Sequence, residues 1–240
     1  MRAAVATLAL LAASLPAVAE AQAIACAMPA DFAMPRVARL DPAEVRRTPV
    51  TRYTLSYSWS PQHCFEQQRR GQDGDDALQC GGRAGRFGFV LHGLWPETNG
   101  RDWPQYCRRP TAASRATLRR HLCMTPSPDL LQHEWERHGT CMATTPEAYF
   151  DQAAALHRNV RFPDMAALAN RRDLTVGDLR RAFSAANIRI PVDAIAVTRT
   201  RGGWLDEVRL CLNIRFRAIR CAPTSRGAPD GQSLRISPLR

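Results

Sequence analysis

The sequence predicts a single α+β domain stapled by disulfides. Three observations carry this expectation. Strand-like alternation and helix start signals succeed one another in mixed order along the chain. Eight cysteines, an even number, follow an apolar leader. The 240 residues, 45% of them hydrophobic, suffice for a folded core.

Residues 1–23 read as a signal peptide. Arg2 supplies a positive charge, residues 3–15 form a short apolar run, and Pro16 breaks it. Ala17-Val18-Ala19 is a small-residue cleavage site, and Ala21-Gln22-Ala23 is a second. The run is too short to span a bilayer. A lipoprotein site at Cys26 fits less well, because no large apolar residue stands three before that cysteine. The mature chain is therefore expected without a membrane anchor, in the periplasm or secreted.

Residues 24–50 contain several prolines and read as an extended arm. Tyr53, Leu55, Tyr57 and Trp59 alternate with Thr54, Ser56 and Ser58, the period of a half-buried strand. Residues 65–86 are polar and glycine-rich and read as a loop. Residues 87–91 are apolar and β-favouring and predict a central strand running into His92-Gly93. Residues 114–123 read as a short basic helix, and 129–138 as another that Gly139 stops. Thr145 and Pro146 open a third helix through Tyr149, Phe150 and Leu156. Thr175 and Asp178 form a capping-box pattern for a fourth, through Leu179 and Phe183. Val208, Leu210, Leu212 and Ile214 alternate with polar neighbours and Cys211 as a late strand. Residues 224–240 hold proline, glycine and serine and read as a surface tail.

The formal net charge is +11, and the leader's Arg2 and Glu20 cancel, so the mature chain keeps it. Such a balance points to a polyanionic partner. The chain has no lysine, so its 33 fixed cations are all arginine. Guanidinium groups fork onto phosphate oxygens better than ammonium groups do. The cysteines contain no CxxC pair, which removes the usual pattern of a structural zinc site. Their spacing does not choose among the possible pairings.

Three of the six histidines fall in two short segments, FGFVLHGLWPE at 87–97 and HEWERHGTC at 133–141. On a helix, Arg137 lies about 40°, Glu134 about 100° and His138 about 140° from His133. One face thus offers two imidazoles, a carboxylate and a guanidinium. That set suits phosphoryl transfer within RNA. A base must take the ribose 2′-OH proton, an acid must protonate the departing 5′-oxygen, and histidine does either near neutral pH. The charge developing on phosphorus needs a fixed cation, which Arg137 supplies. Such a helix face is equally consistent with simple solvation, so a second element must complete the site. His92, at a strand end, is the candidate. The HExxxH spacing is one residue longer than the zinc-protease HExxH and swings the second histidine off the first, which opposes a zinc hydrolase.

Together, HGLWPE and HEWERHGTC resemble the two active-site segments of the T2 family of secreted ribonucleases. The resemblance extends to the YxLxxxW strand before Cys64 and to VRLCLN…IRCAP, so that it covers roughly residues 50–223. It implies an antiparallel sheet flanked by helices in one domain, residues 51–223. It implies His92 as the acid for the 5′-leaving group, His138 as the base on the 2′-OH, and His133 as a phosphate contact. Glu134 and Arg137 are implied to stabilise the transition state, although the family usually has lysine at the latter position. Trp95 and Glu97 match base-contacting positions, and Trp103 falls where the family often has another aromatic. Cys107 with Cys141, and Cys211 with Cys221, match family disulfides. The first would tie the two active-site segments together, worth roughly 3–4 kcal/mol by loop closure. Partners for Cys26, Cys64, Cys80 and Cys123 stay open. His63, His121 and His157 match nothing catalytic, and Trp59 and Trp135 are expected in the core or the wall of the site.

The expected activity is cleavage of single-stranded RNA with low base specificity. The chain would be cut by transesterification to a 2′,3′-cyclic phosphate, then hydrolysed to a 3′-phosphate. No cofactor or metal is implied, and a monomer is expected. DNA lacks the 2′-OH and would at most bind. The rival from another class is a basic secreted protein that binds nucleic acid after losing catalysis.

Overall fold

The computed structural model describes residues 23–72, 76–100 and 102–239. The expected signal peptide falls almost wholly outside them. Among the described residues, the main sheet has four antiparallel strands: β2 (Arg52–Trp59), β4 (Phe89–Glu97), β5 (Ile195–Arg199) and β6 (Leu205–Asn213), in the order β4-β2-β6-β5. A smaller sheet pairs β1 (Ala23–Cys26) with β3 (Gly85–Phe87). The fold is α+β, as expected.

The first strand expected to be half-buried is instead buried on both faces. Leu55 and Tyr57 point with Leu94, Leu91, Val208 and Leu210 into the main core. Thr54 and Ser56 are also buried, on the opposite face beside the cleft described below. On the core side stand α5 (Pro146–Arg158) and α7 (Val176–Ala186), which contribute Tyr149, Phe150, Leu179 and Phe183. Phe89 stacks on Phe162 at 5.0 Å and meets Phe183, Tyr57 and Trp59 edge-on, a preferred arrangement for aromatic quadrupoles.

The helix signals hold at their starts. The Thr145 side chain accepts from Ala148 N at the head of α5, and Thr175 with Asp178 closes a full capping box on α7. Ser114 and Ser127 cap α3 (Arg115–His121) and α4 (Pro128–Arg137) in the same way.

Four expectations need correction. The strand expected at residues 87–91 starts at Phe89, lies at the sheet edge rather than its centre, and runs on to Glu97, while Phe87 ends β3. Its outward backbone is satisfied elsewhere: Leu91 N bonds Met124 O, and the Tyr149 hydroxyl bonds both Leu94 N and Leu94 O. The expected loop 65–86 carries half of α1 (Ser60–Arg69) and all of α2 (Ala77–Cys80). Pro61 starts α1 and the Cys64–Cys80 disulfide clamps it to α2, so a polar sequence is held helical by tertiary links. Gly139 does not stop α4 by adopting a left-handed conformation. A Cβ there would lie 2.5 Å from the Trp135 ring and 2.8 Å from Tyr149, so close packing requires the glycine. Finally, the C-terminal segment is no surface tail. Leu234 and Ile236 are buried in the core, Leu205 N bonds Arg235 O, and the Trp59 indole donates to Ser237 O.

Four disulfides join the described cysteines. Cys107–Cys141 and Cys211–Cys221 pair as the resemblance implied; Cys26–Cys123 and Cys64–Cys80 are the other two. No helix among the described residues is long and apolar enough to cross a membrane.

Candidate active site

One sheet face, opposite the main core, carries a row of polar side chains. Register places Ser56 and Ser58 of β2 beside Arg209 and Glu207 of β6. Between Ser56 and Tyr57 the register of β4 slips: Gly93 faces Ser56, Leu91 faces Tyr57, and His92 is the extra residue. Such a bulge re-aims a side chain. It brings His92 and Gly93, neighbours in sequence, to the same cleft.

Gly93 has a specific task there. A Cβ at this position would lie 1.8 Å from Glu134 Oε2 and 2.7 Å from the Trp95 indole nitrogen. Only a glycine lets α4 press Glu134 against the strand, where Trp95 Nε1 donates to Glu134 Oε2 at 2.7 Å. The second helix face arrives by the same docking. His133, Glu134, Arg137 and His138 come from α4 and its C-cap, and the Cys107–Cys141 disulfide holds the following turn.

All eight residues expected at the site, His92, Trp95, Glu97, Trp103, His133, Glu134, Arg137 and His138, line one cleft of about 510 Å³. Trp95 stands between the two outer histidines, edge-on to His92 at 5.1 Å and tilted against His138 at 5.6 Å. Glu97 is held by the Thr54 hydroxyl at 2.7 Å. Trp103 is the most exposed of the set, at 43%.

The electrostatics divide the cleft. His92 Nδ1 lies 2.6 Å from Glu207 Oε1, and His92 Nε2 lies 3.7 Å from Glu134 Oε1. Burial disfavours charge on this ring, but the Glu207 hydrogen bond and the two carboxylate charges outweigh it, so the His92 pKa is raised. His138 is the opposite case. Burial first, then the charges of Arg137, His133 and His92, hold its pKa well below the ordinary 6.5. Its Nδ1 is buried without a hydrogen-bond partner among the described residues. His133 is lowered by burial, Arg137 and His92. Burial lifts the Glu134 carboxyl to about 7 against the charge of His92 and the Trp95 hydrogen bond. Burial acts the same way on Glu207, yet His92 and Arg209 hold it down to about 2.

Several contributors were not legible in the motifs. Glu207 and Arg209 come from the late strand, where the alternation is visible but its facing is not. Arg209 bonds Glu207 at 2.6 Å and lies 5.1 Å from the Trp95 ring. Gln105 accepts from both Arg137 Nε and Trp103 Nε1 at 3.2 Å. The N-terminal arm in turn fixes Gln105: its backbone exchanges two hydrogen bonds with Arg46, and its amide donates to Glu44 O. Thr224 and Ser225, from the supposed tail, line the cleft as well. Among the described residues no group of three or more His, Cys, Asp or Glu is arranged to hold a metal ion.

Fold and cleft together define a class: a disulfide-stapled α+β domain with a histidine-lined cleft on one sheet face. Solved structures share this fold, two of them as follows. One is the RNase-related protein from Calystegia sepium, with TM-score 0.62 and 20% identity, covering 80% of this chain and 100% of that one. The other is trichomaglin, described as a novel S-like ribonuclease, with TM-score 0.62 and 19% identity, covering 78% and 98%. In sequence the chain is 35% identical over 126 residues to a probable ribonuclease of Haemophilus influenzae, covering 49% of this chain and 46% of the relative. It is 31% identical over 163 residues to a ribonuclease of Aeromonas hydrophila, covering 67% and 71%. The chain thus matches less than half the length of the first relative. The Ribonuclease T2 family model matches residues 50–221, and the chain belongs to that family.

Proposed function

We propose that the protein is an endoribonuclease that cleaves single-stranded RNA, with low base specificity, through His92 and His138 and without a metal ion. Family membership supports RNA as the substrate and endonucleolytic cleavage as the reaction. The observation that carries the finer reading is the opposite surroundings of two histidines in one cleft: His92 lies 2.6 Å from Glu207 and 3.7 Å from Glu134, whereas His138 is buried beside Arg137. A proton donor must be protonated before the reaction and a base must be neutral.

In this reading His138 takes the proton from the ribose 2′-OH, and the 2′-oxygen attacks phosphorus. The bond from phosphorus to the 5′-oxygen breaks, and that oxygen takes the proton from His92 Nε2. The products are a 2′,3′-cyclic phosphate and a free 5′-hydroxyl. In the slower second step the roles reverse, and water replaces the leaving oxygen to give a 3′-phosphate. Arg137 and His133 face the non-bridging oxygens, and Glu134 balances the positive charge around the developing phosphorane. Trp95, Glu97 and Trp103 are assigned to the bases, since aromatic faces stack any base.

Four disulfides suit an oxidising compartment, which supports a periplasmic or secreted location behind the signal peptide. DNA is proposed as a binder at most, and the working form as a monomer. RNA cleavage in excess EDTA, with product ends identified, tests the whole reading. Retained cleavage with cyclic-phosphate ends is expected. Absence of cleavage would favour the nucleic-acid binder, and loss with chelator alone would favour a metal hydrolase.

A further inference from the structure

Outside the two motif segments, one group contacts a proposed catalytic histidine at hydrogen-bond distance with a full charge. Glu207 on β6 lies 115 residues from His92 in sequence, with Oε1 2.6 Å from Nδ1. Its side chain is 7% exposed. A carboxylate so far from water needs compensating partners. It has three. His92 Nδ1 and the Arg209 guanidinium each lie 2.6 Å away, and the Ser58 hydroxyl donates from 3.4 Å. Arg209 engages Oε2, which leaves Oε1 for the imidazole.

We propose that Glu207 is the positioning residue of His92: its buried carboxylate holds the Nδ1 proton, so that Nε2 carries the proton delivered to the leaving oxygen. This rests on the paired-histidine reading above. A histidine's free nitrogen is set by the bond its other nitrogen makes. Glu134 does not serve this purpose. It stands 3.7 Å from Nε2, on the reacting side, and its other oxygen is engaged by Trp95. The groups facing His92 are Glu207 and Arg209 from β6, Ser58 from β2 and Glu134 from α4. Trp95 on its own strand adds a ring edge, and His133 and His138 add repulsive charge when protonated. Of these, only Glu207 places a carboxylate within hydrogen-bond distance of the ring. In the cleavage step Nε2–H breaks and O5′–H forms. The Nδ1 proton stays on the ring, and Glu207 remains a carboxylate throughout.

The test is the pH dependence of cleavage of an RNA dinucleotide by the full protein and its E207Q and E207D variants. Removing a carboxylate at this distance lowers a histidine pKa by about one unit or more. The alkaline limb of the E207Q rate profile is therefore expected to move toward acid by about one pH unit. That is roughly a tenfold loss of kcat on that limb, with KM unchanged. E207D, which keeps the charge, is expected to restore part of the shift. In the unsubstituted protein, NMR is expected to show a far-downfield proton on His92 Nδ1. An unmoved limb in folded E207Q overturns the proposal. If E207Q does not fold, absence of the Nδ1 proton signal from the parent protein overturns it instead, and its presence supports it. Failure of the unsubstituted protein to cleave the dinucleotide would strike the paired-histidine reading, a different outcome from an unmoved limb.

Discussion

On the strand side of the cleft, His92 stands between the carboxylates of Glu134 and Glu207. On the helix side, His138 is buried beside Arg137 and His133, with no carboxylate at hydrogen-bond distance among the described residues. The two rings flank the same tryptophan, yet one is biased toward the imidazolium and the other toward the neutral imidazole. The charge bias of each histidine is thus set by its surroundings rather than by residue type. Strand and helix contribute identical side chains, and the carboxylates of Glu207 from β6 and Glu134 from α4 gather around the strand's histidine. The difference also predicts the pH window of activity. His138 is neutral above its lowered pKa, and His92 is protonated below its raised one. The rate should therefore fall at acid as His138 protonates and at alkaline pH as His92 loses its proton, with the Glu134 carboxyl, lifted by burial to about 7, titrating between them.

Breaking either side should have the largest effect. His92→Ala and His138→Ala are each expected to lose about 10²–10⁴-fold in kcat, the range for general acid or base groups. A near-normal rate in either variant would end the paired mechanism. Arg137→Met should come next, at about 10²-fold in kcat, while Arg137→Lys keeps the charge and most of the rate. Steady-state kinetics on both variants checks whether charge or fork geometry matters at this position.

Gly93→Ala attacks the seam between the sides. The added methyl has no room unless Glu134 moves off Trp95. Activity should fall by about tenfold or more, with a blue- or red-shifted Trp95 fluorescence reporting the displaced carboxylate. Removing the Cys107–Cys141 disulfide by a double Cys→Ser change should cost about 2–5 kcal/mol in denaturant unfolding. Its larger consequence is expected in kcat, because the link fixes the α4 end against the segment carrying Trp103 and Gln105. The smallest effect is expected from Gln105→Ala, which takes the shared acceptor from the partly exposed Arg137 and Trp103 at a cost of about 0.5–1.5 kcal/mol.

Acid stability follows from Glu207. Its pKa is lowered from the ordinary 4.5 to about 2, so its contribution is complete above 4.5 and is lost as pH falls toward 2. An acid unfolding titration should show E207Q losing the part of the slope in that window.

Much of the fold and of the cleft is legible in the sequence, and what is not has physical causes. Thr145 with Pro146, and Thr175 with Asp178, announce their helices because caps act locally. The spacing of His133, Glu134, Arg137 and His138 announces one helical face for the same reason. The bulge at His92 does not show in the alternation, because it depends on which residues of β2 lie opposite. Glu207 and Arg209 are invisible as site residues until β6 pairs with β2. The edge position of β4 hid behind an apolar run that tertiary cover makes equally suitable for an edge. The C-terminal segment looked like a tail because proline, glycine and serine mark turns, not exposure. Leu234 and Ile236, in between, carry it into the core. The arm before residue 50 likewise reads as irregular, yet its backbone holds Gln105 in place.

The most direct test of the central comparison is an NMR titration of the two imidazoles in the same sample, each assigned by its alanine variant. His92 is expected to titrate above 6.5 and His138 well below it. Two rings titrating together, or in the reverse order, would contradict it.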